Sequence, residues 1–299
     1  MTRGLAGLSA AGATILAPVI AASGVADQNR GRVMGIVFAG AGPEVMGLSF
    51  SLPRFLGDGP WGGWLFTAGL VLVCILLAWP GRKAAAASQS HAVTVQFGGK
   101  VRLRLWILAI AYALVAVGIV PHSIYLPVCV HQKPGMPLSF STMVFGVHGL
   151  GVLPGGPVLD GQLTWRLGTW LALLASTLVG LVAVVLATDH VAWVVASGGL
   201  PGMSQMGVAS ITAHRVIELA GPAGHTRWWS RMTVGFNIGQ AGGALPMGPM
   251  LHAGWGYRAG FAMAAVSLCV SPVLALLVRS PRGAATPGHS PLPDRPLPH

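Results

Sequence analysis

Glu44 is the residue with the clearest potential for chemistry, because it stands inside a long apolar stretch. It is one of seven acidic residues, and the others lie outside every stretch of this kind. A carboxylate in the middle of a membrane is costly and by default marks a function, and desolvation favours its neutral, proton-carrying form. Glu44 is therefore our candidate proton carrier. The alternative is a protonated structural side chain held by a hydrogen bond.

A second group of polar side chains occupies a glycine-rich stretch near residue 240. Asn237 and Gln240 are three residues apart, so they project from the same face of a helix. Two amides there could hold a substrate in a cavity, or only bridge helices through a contact worth about 0.6 kcal/mol on average. Five further residues could also face the cavity, although each alone is more often a packing or helix-end residue: Tyr112, His122, Tyr125, His148 and Gln205.

The residues do not favour an enzyme. The chain has no G-x-S-x-G elbow, no H-E-x-x-H, no Walker loop and no paired carboxylates. His148 and Asp160 are 12 residues apart, about 18 Å along a helix, which is too far for a catalytic dyad. Cys74, Cys129 and Cys269 match no metal or disulfide spacing. We expect no catalytic residue and no metal site.

The composition defines the surroundings of these side chains. The chain is 53% hydrophobic and 8% charged, with a mean hydropathy of +0.68. A soluble domain has about 25% charged residues, so this composition excludes a soluble globule, and it also excludes disorder. A net charge of +11 would suggest nucleic acid, but the basic residues lie in short loops between apolar runs. We therefore expect a polytopic membrane protein whose partner is the lipid bilayer and not nucleic acid.

Nine stretches have the length of a membrane-spanning helix, about 20 mostly apolar residues. Their unbroken hydrophobicity favours helices over barrel strands, which are shorter and alternate in polarity. The predicted class is thus an all-α polytopic membrane protein. The stretches are residues 4–24, 33–53, 61–79, 105–127, 139–159, 167–188, 191–211, 232–252 and 259–278.

The loops between these stretches predict the orientation and the domains. Fourteen of the 18 Lys and Arg residues lie on one side, which the positive-inside rule places in the cytoplasm together with the C-terminus. The loop 80–104 is predicted to be a cytoplasmic linker between a three-helix N-terminal bundle, residues 1–79, and a six-helix C-terminal bundle, residues 105–278. The proline-rich residues 279–299 are predicted to be a disordered cytoplasmic tail.

Four segments resemble the major facilitator superfamily (MFS), and in particular its bacterial YbfB-like branch. They follow one another in the family order and cover most of residues 3–278. The segments are Arg3-Gly-Leu-Ala-Gly-Leu, Arg30-Gly-Arg-Val-Met-Gly-Ile-Val-Phe-Ala-Gly, Ala111-Tyr-Ala and Met232-Thr-Val-Gly-Phe-Asn-Ile-Gly-Gln. The resemblance implies an MFS-type bundle in which the first stretch corresponds to the family's fourth helix. The chain would then lack the first three helices, and we expect it not to transport by itself.

The resemblance also gives meaning to individual residues. Asp160 falls where the family carries the second copy of its acidic-basic loop, which makes it a candidate for a gating salt bridge. Residues 161–166 depart from the usual basic continuation, so a helix-end carboxylate facing water is the alternative. Gly239-Gln240 matches the pattern on the cavity-lining helix eleven. Gly42-Pro43 is similar to a motif of exporters on helix five, whereas the family position that matches Glu44 is generally small and apolar.

The function that these features predict is secondary active transport of a small solute across the bacterial inner membrane. We expect coupling to protons, with export slightly favoured, and no cofactor, since the ion gradient supplies the energy. One alternative is a truncated, non-transporting remnant or assembly partner of the same fold. A more distant alternative is an intramembrane enzyme.

Overall fold

The structure is a computed structural model that describes part of the chain. The described residues are 12–17, 20–21, 25, 27–55, 60–81, 97–132, 137–155, 170–171, 173–175, 177–178 and 191–278. They form helices and turns with no strand among them, which confirms the predicted all-α class. The predicted stretches 4–24 and 167–188 lie largely outside the described residues. Asp160, linker residues 82–96 and the tail 279–299 lie wholly outside them.

Nine α-helices have both ends within the described residues. They are α1 (Asp27–Ala39), α2 (Ala41–Phe55), α3 (Pro60–Ala78), α4 (Gly99–Val120), α5 (Leu126–His131), α6 (Leu138–Gly155), α7 (Val191–Ala244), α8 (Met247–His252) and α9 (Gly256–Leu276). A 3-10 turn, Trp79–Gly81, follows α3, and a π-helical segment, Pro121–Tyr125, joins α4 to α5. Residues 12–17 are also helical.

Most of the predicted stretches coincide with apolar helices. Within the described residues, four helices are long and apolar enough to cross a membrane: Gly35–Phe55, Trp61–Ala78, Gly99–His131 and Gly256–Leu276. They match the predicted stretches 33–53, 61–79, 105–127 and 259–278, and Ser139–Pro154 is a shorter apolar helix within 139–159. Since α4 begins at Gly99, residues 99–104 of the predicted linker are helical.

Helix α3 shows the character of a lipid-facing element. Its large apolar side chains are mostly exposed, including Trp61 at 77% and Leu77 at 76%. An apolar surface this extensive is stable in contact with hydrocarbon but not in contact with water. The exposure of α3 therefore agrees with the predicted membrane location.

The segment between residues 191–211 and 232–252, which was predicted to be a loop, is largely helical. Residues 212–220 and 222–231 are helical, and α7 consists of two helices that meet at a break in the helical backbone at Gly221, with φ 67° and ψ 171°. Glycine alone adopts this backbone region readily, so a single residue replaces the expected loop. Helix α7 thus has a first arm, residues 191–220, and a second arm, residues 222–244.

Arg215, predicted as a loop charge, is buried in the first arm of α7. One guanidinium nitrogen donates to the Glu218 carboxylate at 2.6 Å, and the other donates to the Val278 carbonyl oxygen at 2.6 Å. A buried charge needs both a partner and hydrogen bonds, and this pair of contacts supplies them. Arg215 therefore joins the end of α9 to the first arm.

Prolines interrupt two of the predicted stretches. In the stretch 232–252 the helix ends at Ala244, because Pro246 has no N–H and its ring crowds the preceding turn. The short helix α8 then covers the rest of the stretch. The stretch 105–127 widens into the π-helical segment at Pro121 for the same reason. There the Ser123 hydroxyl donates to the carbonyl oxygens of Ile119 and Val120 at 3.3 Å, and so satisfies groups left by the irregular turn.

Glycines let the central helices pack at backbone distance. A Cβ built on Gly149 of α6 would lie 2.8 Å from the Gly42 carbonyl oxygen of α2. A Cβ on Gly198 of the first arm would lie 2.7 Å from the Val144 carbonyl oxygen of α6. Small residues at helix contacts are typical of membrane bundles, where close van der Waals packing drives association. Helix α6 thereby holds α2 and the first arm of α7 together.

Candidate functional site

A cavity of about 180 Å³ lies between α1, α4 and both arms of α7. Its lining residues are Thr14, Phe38, Tyr112, Gln205, Met206, Ala209, Trp229, Thr233, Phe236, Asn237 and Gln240. Four of the seven residues predicted as cavity candidates are among them, namely Asn237, Gln240, Tyr112 and Gln205, whereas His122, Tyr125 and His148 are not. The structure thus brings together side chains that are up to 128 positions apart in the sequence, and their contact with a substrate stays a prediction.

The second arm of α7 supplies most of the cavity wall. Trp229, Thr233, Phe236 and Gln240 follow one another at spacings of four, three and four residues, which is one face of a helix. The Thr233 hydroxyl donates to the Trp229 carbonyl oxygen at 3.0 Å, so it is held within its own helix. Sequence reasoning missed Trp229, Thr233 and Phe236, although extending the Gln240 face backward by helical spacing would have found them.

The second arm lies close to α4, which brings Tyr112 to the cavity. A Cβ built on Gly243 would lie 2.8 Å from the Val117 carbonyl oxygen of α4, and one on Gly239 would collide with the Ala113 carbonyl oxygen. Glycines at these positions allow the two helix backbones to touch. Since Tyr112 precedes Ala113, this contact fixes the height of the Tyr112 ring in the cavity.

Aromatic rings form the apolar part of the wall. The ring centroids of Tyr112 and Phe236 are 4.6 Å apart, and those of Tyr112 and Trp229 are 6.2 Å apart. Phe38 of α1 meets Trp229 edge to face at 5.7 Å. Aromatic pairs at these distances and tilts are favourable beyond the area that they bury. The wall is therefore a connected aromatic surface with amide groups beside it.

The described lining carries no charged side chain. The nearest cation along the second arm is Arg231, whose guanidinium lies 4.8 Å from the ring centroid of Trp228 and 5.8 Å from that of Trp106. Both of these rings lie outside the cavity lining. Among the described residues no three His, Cys, Asp or Glu side chains are grouped to hold a metal ion. Polarity in the cavity comes from amide, hydroxyl and phenol groups.

Glu44 does not reach the cavity. On α2, Gly42 and Met46 face α6, where a Cβ on Gly149 would lie 2.9 Å from Met46. Glu44 is two residues from each, about 200° around the helix, and its side chain is exposed. Its role as a proton carrier stays a prediction. A helical wheel drawn on Gly42 and Met46 would have indicated this orientation from the sequence.

The remaining residues predicted as site candidates, where the structure describes them, do not lie at the cavity. Asp160 lies outside the described residues. The Tyr125 hydroxyl donates to the Ala244 carbonyl oxygen at 3.4 Å, which joins the π-helical segment to the end of α7. His122 and His148 are buried close together, and His148 hydrogen-bonds Gln205 of the cavity wall.

A membrane bundle of apolar helices around an uncharged, amide-lined cavity has the features of a solute transporter of the MFS type. The chain belongs to the family described as "Uncharacterised MFS-type transporter YbfB", whose model matches residues 1–276. The predicted family and the predicted membrane and transport class are thereby confirmed.

A solved structure supports the same fold. The chain is similar to the E. coli fucose:proton symporter FucP, with a TM-score of 0.57 and 13% sequence identity over 90% of this chain and 74% of that one. At this identity the similarity shows the fold alone. No curated protein matches the chain.

Proposed function

We propose that the chain is a secondary active transporter that moves a small, uncharged, partly polar solute in exchange for protons. The observation that carries this proposal is the convergence of Tyr112, Gln205, Asn237 and Gln240 on one cavity. Pockets with apolar walls and a few converging polar groups are typical small-molecule sites. The proposal assigns no bond-making step to any residue of the chain.

The chemistry of the lining supports an uncharged solute. A charged solute buried without an opposite charge would lose several kcal/mol of hydration energy, and the described lining offers no ion to compensate. The amides of Gln205 and Gln240 can donate and accept hydrogen bonds, while the rings of Tyr112 and Phe236 can cover an apolar face. At about 30 Å³ per water molecule, a cavity of about 180 Å³ suits a small molecule.

The position of the cavity supports alternating access. Phe38 comes from α1 of the predicted N-terminal bundle, whereas Tyr112 and the α7 residues come from the predicted C-terminal bundle. In transporters of this architecture the substrate site lies between two bundles that rock against each other. We infer that α1 and α7 separate on one side of the membrane as they close on the other.

The proton gradient is the proposed energy source, so no cofactor is required. Export is the proposed direction, because Gly42-Pro43 resembles the exporter motif. The name of FucP describes symport of fucose with protons, in which solute and proton move in the same direction. Symport is therefore a specific alternative to the proposed exchange. Both directions of coupling need a group that binds the proton inside the protein.

We propose that the chain lies in the bacterial inner membrane with its C-terminus in the cytoplasm. A cysteine placed in residues 84–90 is then expected to resist an impermeant thiol reagent in intact cells, whereas one beside Lys133 reacts. The background for this labelling is a variant in which Cys74, Cys129 and Cys269 are serine. Labelling with the opposite pattern would reverse the orientation.

The transport proposal is tested in liposomes that contain the purified chain and a trapped pH-sensitive dye. Uncharged solutes such as hexoses, polyols and aliphatic amides are added outside, one class at a time. Proton movement with at least one class, at a rate well above that in protein-free liposomes, would support the proposal and would contradict the expectation that the chain does not transport by itself. If no class moves protons into or out of vesicles that hold correctly folded protein, the proposal of proton-coupled transport of uncharged solutes is wrong.

A further inference from the structure

Two histidines lie buried next to the solute cavity without lining it. His122 belongs to the π-helical segment Pro121–Tyr125 and is 1% exposed, and His148 belongs to α6 and is 5% exposed. Their ring centroids are 6.2 Å apart, with ring planes at 37°. Ionisable side chains inside a membrane bundle are costly and by default mark a function. Two of them in contact form a site that the solute cavity does not account for.

The pair is connected to the cavity through one amide. His148 hydrogen-bonds the side chain of Gln205 and the backbone of Gly198, both on the first arm of α7. Gln205 also lines the cavity. The close approach of Gly202 to the His148 backbone holds the two helices at this distance. A change in the protonation of the His148 ring can therefore reach the cavity through a single side chain, that of Gln205.

We propose that His122 and His148 form the proton-binding site of the transporter and transmit their charge to the solute cavity through Gln205. This inference rests on the proposed function, because it assigns the coupling step of proton-driven transport. The bound species is a single proton, which is taken up from water on one side of the membrane and released on the other.

The hydrogen-bond chemistry of imidazole explains the transmission. A neutral ring has one donor and one acceptor, whereas a protonated ring has two donors and no acceptor. Gln205 can bond a protonated His148 only through its carbonyl oxygen, so its amide nitrogen then turns toward the cavity. A deprotonated ring nitrogen can instead accept from that amide. The proton on the pair thereby selects which polar group the cavity presents to the solute.

The π-helical segment gives His122 freedom to respond. A π-turn inside an α-helix is locally unstable and occurs frequently at functional sites. Here it is bounded by Pro121 and by Pro127 of α5, and Ser123 donates to two carbonyl oxygens of the turn before it. Because this turn has alternative hydrogen bonds, His122 can shift relative to His148 when the pair gains or loses its proton.

The carboxylates of Glu44 and Glu218 lie away from the pair. On α2, Glu44 is exposed on the side away from α6. On the first arm, Glu218 is 13 residues beyond Gln205, about 20 Å along the helix, and is bound to Arg215. Neither of these carboxylates is a counter-ion for the pair, and the charge of a first proton on the pair opposes a second. The pair is expected to take up its protons in two separate steps.

Besides Glu44 and Glu218, the titratable groups on α2, α4, α5, α7 and α9 are phenols, thiols, cations and histidines, while α1 carries Asp27, Arg30 and Arg32. The phenols and thiols are Tyr112, Tyr125, Cys129, Tyr257 and Cys269. The cationic side chains and other histidines are Arg54 on α2, Lys100, Arg102 and Arg104 on α4, His131 on α5, His214, Arg215, His225, Arg227 and Arg231 on α7, and Arg258 on α9. None of the side chains on α4, α5 and α9 is a carboxylate.

The test is histidine-selective 15N NMR of the purified full chain in lipid nanodiscs between pH 5 and 8. The ring nitrogen shifts report protonation directly and require no solute. We expect His122 and His148 to titrate together in two steps, with one proton taken up in this range. In the variant His122→Gln, His148 is expected to bind its proton at a pH about one unit higher, because the opposing charge is gone. His252→Gln, at an exposed position, is the control and should leave the titration unchanged.

Two results would overturn the inference. One is that both rings stay neutral throughout this range in the wild-type protein, which needs no variant to fold. The other is that His148 titrates identically with and without His122. Since the measurement contains no solute, a failed transport assay with an intact two-step titration would reject the proposed function while leaving the proton site in place.

Discussion

Replacing Asn237 by leucine is expected to reduce solute-dependent proton flux by about 5- to 150-fold. Leucine has nearly the shape of asparagine but offers no hydrogen bond, so a polar group of the solute is left unpaired in the cavity. Such a loss costs about 1–3 kcal/mol, which gives this range of rates. The measurement is dye-reported proton flux in liposomes with the solute that gives the largest wild-type signal.

The matched control for this substitution is the next residue of the same arm. Ile238 is 67% exposed and does not line the cavity. Ile238→Leu is therefore expected to keep the flux within about twofold of wild type, because it changes only a lipid-facing surface. Equal flux in the two variants would show that the solute does not bind at the amide face of α7.

Replacing Gly149 by valine is expected to cost more stability than the same replacement at a glycine that contacts no other helix. A Cβ there would lie 2.8 Å from the Gly42 carbonyl oxygen and 2.9 Å from the Met46 backbone nitrogen. Both neighbours are backbone atoms, which cannot rotate away, so α2 and α6 must separate. Overpacking of this kind costs about 1–3 kcal/mol or more, and we expect the melting temperature to fall by about 5–10 °C.

Gly47 provides the comparison for this effect. It lies on α2, is exposed, and a Cβ built on it meets no atom within 4 Å. Gly47→Val introduces the same β-branched residue into a helix and so carries the same change in helix propensity. We expect its melting temperature, measured in the same detergent, to stay close to the wild-type value. A similar fall in both variants would mean that helix propensity, and not the contact of α2 with α6, causes the loss.

The sequence was sufficient to predict the class of fold and part of the cavity. The apolar runs predicted most of the helices, because length and hydropathy alone decide what can cross a membrane. Helical spacing placed Asn237 and Gln240 on one face, and the structure brings Tyr112 and Gln205 to the same cavity.

The remaining features depend on geometry that hydropathy does not report. One positive-φ glycine, Gly221, replaced the loop predicted after residue 211. Hydropathy made Glu44 the first candidate for a proton carrier. In the structure α2 contacts α6 through Gly42, and this orientation leaves Glu44 exposed. The aromatic side of the cavity was missed because Trp229 and Phe236 are as common in a packed core as in a binding site.

The most direct test of the account is solute accumulation in vesicles across which a proton gradient is imposed and then reversed. Alternating access coupled to protons predicts that the solute moves uphill against its own concentration difference, and that the direction of movement reverses with the sign of the gradient. The Asn237→Leu variant should lose this accumulation and Ile238→Leu should keep it. Movement that only equilibrates the solute, at one rate whatever the gradient, would contradict secondary active transport by this chain.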